Sequence, residues 1–370
     1  MKKTLLALAA LSTIAGTAAA QSSVTMYGIA DVGIVRESGN PAGPVTKVTS
    51  GISAGSRLGF RGVEDLGGGA AAIFTLETGI SMDTGGAAQL ASSANPTGVL
   101  FARQTFVGLK SGAGTLTMGR QYNPYFNTVY SIDPFGTGHV GNSGNIMAFT
   151  GSNGRSSNSV QYVSPTVAGF KGELLYGFGE QLGSTRAGSV VNGAISYANG
   201  PLLVRLAANQ TNNDVAGKAI PKTKNVILGA VYDFKVVKMS AGYATLKGPT
   251  PAKFYAQEAL GFYNATPYRS VQNNPPTLDM RDFLIGATIP VGPGNILASY
   301  IRRKDKTATA QNASEAAVGY EYYLSKRTVW YNVYSRIRND NNAGYTVGNS
   351  GDATGGAGDK AFSTGIRHTF

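Results

Sequence analysis

Apolar and polar residues alternate one by one in stretches of about ten residues along most of this chain. Val24 and Met26 share one face of such a stretch, whereas Thr25 and Asp31 lie on the other. A period of two is typical of a β-strand with one apolar and one polar face. We find no comparable helical period, apart from a short helical turn expected near residues 125–131. The chain is therefore predicted to be all-β.

The connectors between these stretches alternate in length. About seven are short and contain turn-forming residues, such as the glycines at 67–69 and the Asn-Gly pair at 199–200. About eight are long and rich in Gly, Ser, Asn and Pro, including 122–154 and 247–279. Counting the stretches predicts a 16-stranded antiparallel transmembrane β-barrel with short periplasmic turns and long extracellular loops. Closure would leave no exposed edge, and this strand number leaves a water-filled lumen.

A soluble all-β fold, such as a sandwich or a propeller, is the alternative to this barrel, because soluble sheets also alternate. Charged residues are 14% of the chain, compared with roughly 25% in ordinary soluble domains. This low charge, the pattern of connector lengths and the export signal described next favour the barrel.

The N-terminus has the composition of an export signal. Lys2 and Lys3 precede a short apolar segment, and the alanines at 18–20 provide a cleavage site. We expect residues 1–20 to be a cleaved signal peptide and residues 21–370 to form a single barrel domain. The chain contains no Cys, which excludes disulfides and thiolate metal sites.

Distinctive motifs occur at both ends of the predicted barrel. They read VTMYG at 24–28, SRLGFRGVEDLG at 56–67, RQTFVGL at 103–109, TMGRQY at 117–122 and GIRHTF at 365–370. Together they resemble the Gram-negative trimeric general porins, most closely the anion-selective branch, over essentially the whole mature chain. The resemblance implies an outer-membrane homotrimer whose third loop, 122–154, folds into the lumen. It also implies that Phe370 is an assembly signal for the barrel-assembly machinery; alternatively, Phe370 joins the aromatic girdle of a plain closing strand.

Arginines are the residues expected to line the pore, because a basic ring at a constriction favours anions. Arg57 and Arg61 lie opposite Leu58 in the alternation, so they point inward if Leu58 faces lipid. Arg103 lies opposite Phe106 and points inward by the same argument.

The resemblance assigns these arginines more specific roles. Arg57, Arg103 and Arg155 match the basic cluster at the porin constriction, and Arg120 matches a further basic position near the base of the third loop. Further pore-lining residues are expected to be Arg61, Glu77, Arg120 and Asp133. Each arginine could instead neutralise a nearby carboxylate, such as Glu77, or be a solvated charge in the lumen. A guanidinium suits anion transfer because it stays charged and presents a planar fork of donors.

Asp133 has two possible roles within the motif DPFG at 133–136, which resembles the tip of the porin third loop. Its carboxylate could face the basic cluster across the lumen and create a transverse field. Alternatively, it could cap a local turn, as Asp before Pro often does. Asp133 is the single acid in residues 122–154, so the cluster should stay incompletely neutralised.

An enzyme is not expected, because His139 and His368 are the only histidines. His368 should point outward on the terminal strand, and His139 has no obvious carboxylate partner nearby. We also expect no cofactor and no metal. A nucleic-acid partner is not expected, since Lys and Arg are spread along the chain rather than concentrated in one patch.

The predicted function is an outer-membrane porin that lets small hydrophilic solutes and ions, with a preference for anions, diffuse through a water-filled channel. Its expected surroundings are outer-membrane lipids, including lipopolysaccharide. The alternative is a surface adhesin or receptor barrel that acts through long loops such as 247–279.

Overall fold

A computed structural model describes residues 22–88, 100–147, 154–214, 219–249, 277–340, 343–348, 356 and 358–370. The predicted signal peptide and most of the connector at 247–279 lie outside these residues. The described residues form one antiparallel sheet of 18 strands. Two of the 18, β2 and β5, are short segments of extracellular loops, so 18 − 2 = 16 strands build the wall.

The strands, in chain order, are β1 (Ser23–Ser38), β2 (Val45–Ser50), β3 (Arg57–Gly67), β4 (Ala70–Ile80), β5 (Ala87–Ala88), β6 (Gln104–Ser111), β7 (Gly114–Tyr122), β8 (Arg155–Val163), β9 (Phe170–Gly177), β10 (Val190–Asn199), β11 (Leu202–Thr211), β12 (Thr223–Asp233), β13 (Lys238–Pro249), β14 (Thr277–Val291), β15 (Gly294–Asp305), β16 (Ala313–Tyr323), β17 (Thr328–Asn339) and β18 (Lys360–Thr369). One α-helix, α1 (Pro124–Ile132), and a 3-10 turn, Ser143–Asn145, lie in the third extracellular loop. Among the described residues, no helix is both long and apolar enough to cross a membrane.

The first and last strands close the barrel. The lower part of β1 pairs with β3, and its upper part, from Ile29, pairs with β18. At the C-terminus, the N–H of Phe370 donates to the Gly28 carbonyl at 3.1 Å, and the Gly28 N–H donates to the Phe370 carbonyl at 3.0 Å. These bonds satisfy backbone groups that would otherwise lie on an open edge. The predicted 16-stranded closed barrel is confirmed.

The two faces of the wall follow the alternation in the sequence. Met26, Val107 and Leu109 are exposed on the outer face. Tyr27 and Asp31 lie on the opposite face of β1 and point toward the lumen, where both make hydrogen bonds to other inward side chains. Apolar side chains therefore cover the outside of the barrel, as a lipid environment requires.

The third loop folds back against the inside of the wall. Its helix α1 begins at Pro124 and is capped by Asn123, whose side-chain oxygen accepts from the Phe126 N–H at 2.8 Å. Ile132, at the other end, packs over Gly229 and Gly242, where any Cβ would collide with it. These two glycines leave room for the helix, so the loop narrows the lumen as the porin resemblance implies.

Candidate pore constriction

A cavity of about 580 Å³ lies between the third loop and the opposite barrel wall. The wall side of its lining is polar and charged, with Arg57, Arg103, Glu321 and Arg367. The loop side is aromatic or neutral, with Phe126, Asn127, Tyr130, Pro134, Phe135, Gly136, Thr137, Gly138 and His139. This is the narrow region that two of the three main predicted arginines line directly.

Glu77 lies at the centre of the basic cluster. Its Oε1 accepts from Arg103 Nε at 2.6 Å, and its Oε2 accepts from the Tyr27 hydroxyl at 3.0 Å. Arg57 Nη1 is farther away, 3.9 Å from Oε2. The alternative in which arginines neutralise Glu77 is therefore realised for Arg103, and only weakly for Arg57. Arg57 keeps 18% of its side chain exposed, whereas Arg103 keeps 1%.

Tyr122 connects the remaining predicted arginine to this cluster. Arg103 Nη2 donates to the Tyr122 hydroxyl at 3.0 Å, and Arg155 Nη2 donates to the same oxygen. The Arg155 guanidinium also lies over the Tyr122 ring, 4.1 Å from its centre, as a cation–π contact. Strand pairing sets this arrangement, since Tyr122 ends β7 directly beside Arg155, which begins β8. Arg155 is buried behind Tyr122 and does not itself line the cavity.

Arg103 lies inside the barrel, although the parity argument that predicted this was wrong. Gln104 pairs with Glu77 and therefore lies on the lumen face, as does Phe106. Val107 is exposed on the outer face. By alternation alone Arg103 would point outward, but it precedes the first residue of β6. The chain bends there, and this bend turns the side chain toward Glu77.

Arg61 faces the lumen as predicted, because it pairs with Thr75 on the Glu77 face of β4. Its guanidinium carbon lies 5.5 Å from the centre of the Tyr27 ring. Arg61 is four residues below Arg57, roughly 13 Å toward the periplasmic end at the usual strand rise. It is not among the residues that line the cavity.

The structure contradicts the predicted lumen position of Arg120. Arg120 pairs with Thr105, in the same outer row as Val107, and the ladder to β8 is irregular at this point of β7. Its guanidinium donates to the Ala102 carbonyl at 2.6 Å and to the Ser157 hydroxyl at 2.7 Å. Arg120 thus fastens neighbouring strand ends from the outside rather than lining the pore.

Asp133 follows the turn-capping alternative. Its carboxylate is buried and accepts from the backbone N–H groups of Phe135 at 2.9 Å, Thr137 at 3.1 Å and Ser143 at 2.8 Å. Burial raises the pKa of the Asp133 carboxyl above its usual range, and the N–H donors act in the opposite direction. Asp133 organises the tip of the loop and is not among the cavity-lining residues.

Sequence reasoning missed two charged residues of the wall, Arg367 and Glu321. Arg367 Nη1 donates to the Ser53 hydroxyl at 2.6 Å and lies 3.5 Å from Glu321 Oε1. Alternation in the sequence could have placed Arg367 on the lumen face, because it lies between the outward Ile366 and His368 of the last strand.

His139 also has a carboxylate partner that was not expected. Its Nε2 lies 3.3 Å from Glu321 Oε1, and its ring meets the Tyr331 ring edge-to-face at 4.9 Å. Asn145 makes a parallel contact, donating to Glu315 at 2.8 Å. These contacts join the third loop to the strands β16 and β17, so they hold the constriction in place.

Comparison with known proteins agrees with this architecture. The sequence matches the Gram-negative porin family over residues 7–342. It is 32% identical to an outer membrane porin protein of Bordetella pertussis, with 92% of this chain and 95% of that protein covered. It is 31% identical to outer membrane porin protein 32 of Delftia acidovorans over the full length of both chains.

A solved structure is similar as well. The anion-selective porin from Comamonas acidovorans superimposes with a TM-score of 0.74 at 28% sequence identity, covering 95% of this chain and all of that one. The fold and these relatives indicate a passive diffusion channel of the outer membrane rather than an enzyme, and they give no support to the adhesin alternative. The chain belongs to the Gram-negative porin family.

Proposed function

We propose that this porin favours anions and that the cluster of Arg57, Arg103 and Arg155 forms its selective constriction. Arg57 and Arg103 lie on the cavity surface, Arg155 adds its charge from behind Tyr122, and Arg367 is a fourth contributor. The observation that carries the proposal is the charge on the cavity surface. Among the described residues that line it, three are arginines and one, Glu321, is a carboxylate. Glu77 lies behind this surface, hydrogen-bonded to Arg103.

The third loop does not offset this positive charge. Its single acid, Asp133, is buried among backbone N–H groups. A fixed cation about 6 Å from a passing ion is worth about 0.7 kcal/mol even at the dielectric constant of water, roughly a threefold preference. Low-dielectric walls strengthen such a field, so several guanidinium groups around one cavity produce a clear anion bias.

The reversal potential of the purified protein in a planar bilayer under a KCl gradient tests this proposal. We expect a reversal potential shifted toward the equilibrium potential of chloride. This shift should disappear in the triple variant Arg57→Ser, Arg103→Ser, Arg155→Ser. Arg61→Ser is the matched control, because Arg61 faces the lumen away from the cavity. A cation preference of the native protein would overturn the anion assignment. A chloride bias that survives the triple variant would move selectivity to other charges.

We also propose a homotrimer, as the family resemblance implies. The outer faces of β1, β3, β6 and β7 offer an apolar surface for subunit contact, with Met26, Phe60, Val107 and Met118. Mild-detergent electrophoresis with and without heating tests this state. A band of trimer mass that dissociates on heating supports it, and a monomer under all mild conditions contradicts it.

Lipopolysaccharide is the proposed lipid partner. Arg302, Arg336 and Arg338 lie on the outer face near the extracellular ends of β15 and β17. Arg336 and Arg338 border an outer-wall cavity of about 520 Å³ whose lining includes Tyr300 and Tyr334. Guanidinium groups above an aromatic, apolar surface suit phosphorylated lipid headgroups. The double variant Arg336→Ser, Arg338→Ser should reduce the rise in unfolding temperature that added lipopolysaccharide gives the native barrel. Arg327→Ser, in a periplasmic turn, should leave that rise unchanged.

For Phe370 we propose the assembly-signal role. Phe370→Ala keeps the backbone bonds to Gly28 and removes the ring. The expected result is poor assembly in cells together with nearly native stability of protein refolded in detergent. Equal losses in both settings would indicate a closing residue without a signalling role.

A further inference from the structure

Three aromatic residues of the third loop form a continuous row. Tyr122 ends β7, and Phe126 and Tyr130 follow it at intervals of four residues. Within α1 this spacing places Phe126 and Tyr130 on one helix face. The Tyr122 and Phe126 rings are stacked, with centres 4.9 Å apart and planes 8° apart. The Phe126 and Tyr130 rings are 6.4 Å apart and inclined by 31°.

This aromatic row runs beside the basic cluster. At its inner end Tyr122 accepts hydrogen bonds from Arg103 and Arg155. At its outer end Tyr130 lines the same cavity as Arg57 and Arg103. A solute in this cavity therefore meets guanidinium groups on one side and aromatic rings on the other.

Tyr130 differs from its neighbours in exposure. Phe126 keeps 6% of its surface exposed and belongs to the packed core of the loop, whereas Tyr130 keeps 57% exposed. An exposed ring adds little to the packing that holds the loop in place. Its position in the constriction suits contact with passing solutes, because an aromatic ring offers a large, rigid and partly apolar surface.

We propose that the constriction is a binding site for aromatic carboxylates, which it passes in preference to aliphatic anions of the same charge. The carboxylate contacts Arg57, the most exposed guanidinium bound to Glu77, while the planar ring of the solute stacks on Tyr130 and the edge of Phe126. The inference rests on the proposed anion preference and specifies the solute class. The cavity, about 580 Å³, lies within the range of small-molecule sites.

A pair of acids that differ mainly in planarity provides the test. Benzoate and cyclohexanecarboxylate carry the same charge and have closely similar sizes, but only benzoate can stack. We would measure the reversal potential of the native protein with chloride replaced by each acid, and the block of chloride current by each acid. The expected result is a benzoate permeability and a blocking strength about threefold higher or more, in line with one stacking contact.

Variants at Tyr130 locate the preference. Tyr130→Ser should abolish the difference between the two acids, because it removes the ring on which benzoate stacks. Tyr130→Phe should retain the difference. Tyr243→Ser is the matched control, since Tyr243 is exposed on the outer wall, where it pairs with the exposed Phe283. Equal behaviour of the two acids in the native protein, or a difference that survives Tyr130→Ser, would overturn the proposal.

The two proposals fail in different measurements. The KCl reversal potential of the native protein tests the anion preference alone. Comparison of the two acids at equal charge tests the aromatic site alone. A porin with a chloride bias and no distinction between benzoate and cyclohexanecarboxylate retains the proposed function and lacks the aromatic site.

Discussion

Arg103 Nε lies 2.6 Å from Oε1 of Glu77, and both side chains are almost completely buried in the barrel wall. The pair joins β4 to the chain just before β6, and Tyr27 completes it by donating to the second carboxylate oxygen at 3.0 Å. Arg57, at 3.9 Å, is only loosely attached to the same carboxylate. Arg103 thus stabilises the barrel wall, whereas Arg57 remains accessible to solutes.

Replacing Glu77 by Gln should strengthen the anion preference. The amide keeps an oxygen that Arg103 can bind, but it removes one negative charge from the constriction. We expect the ratio of chloride to potassium permeability to rise by roughly threefold, the effect of one charge at about 6 Å in a water-like dielectric. The reversal potential in a KCl gradient measures the change. Glu64→Gln, an exposed position near the first periplasmic turn, is the matched control.

Arg57→Ser and Arg103→Ser should affect different properties. Arg57→Ser should lower the chloride preference with little change in the unfolding temperature, because its guanidinium is partly exposed. Arg103→Ser should also lower stability, by about 3 kcal/mol, since it leaves Glu77 buried without its closest cation. Reversal potentials and heat-induced gel shifts separate the two effects. Equal losses of stability would contradict this division of roles.

Asp133→Asn should loosen the third loop without changing ion selectivity. An amide cannot accept from all three N–H groups that the carboxylate binds, and each lost partner costs about 1–3 kcal/mol. Single-channel recordings should show larger current fluctuations, whereas the KCl reversal potential should stay native. A shift toward chloride would instead indicate that the carboxylate faces the basic cluster. Asp65→Asn, which alters a similar cap on the Gly67 N–H, is the control.

The fold could be predicted from the sequence because its determinants are local and repeated. Alternation defines each strand, glycines such as 67–69 mark the turns, and an even number of strands allows closure. The helical turn expected near 125–131 is observed as α1, Pro124–Ile132. Each of these features depends on neighbouring residues only, which is the information that a single sequence contains.

The site could be predicted only in part, because its geometry depends on irregularities of the wall. Arg57 and Arg61 follow regular alternation and were placed correctly on the lumen face. Arg103 lies at a bend just before β6, where alternation no longer reports the face. Arg120 lies in the outer row of the regular ladder between β6 and β7, and its expected place in the pore came from the resemblance rather than from alternation. Arg367 is contributed by the last strand, which approaches the first strands only after closure. Such contacts depend on the closed barrel rather than on local pattern.

The closing contact between Gly28 and Phe370 leads to the last prediction. A Cβ at position 28 would collide with the Phe370 ring and lie 2.7 Å from the Arg57 carbonyl oxygen. Gly28→Ala should therefore force β1 away from β18 and cost about 1–3 kcal/mol, the usual effect of overpacking. Gly112→Ala is the matched control, because a Cβ there meets open space in a periplasmic turn. The fraction of heat-modifiable barrel after refolding in detergent measures closure. We expect a clear loss of heat-modifiable barrel for Gly28→Ala and none for Gly112→Ala. Equal yields would show that the junction between β1 and the C-terminus tolerates a side chain at position 28.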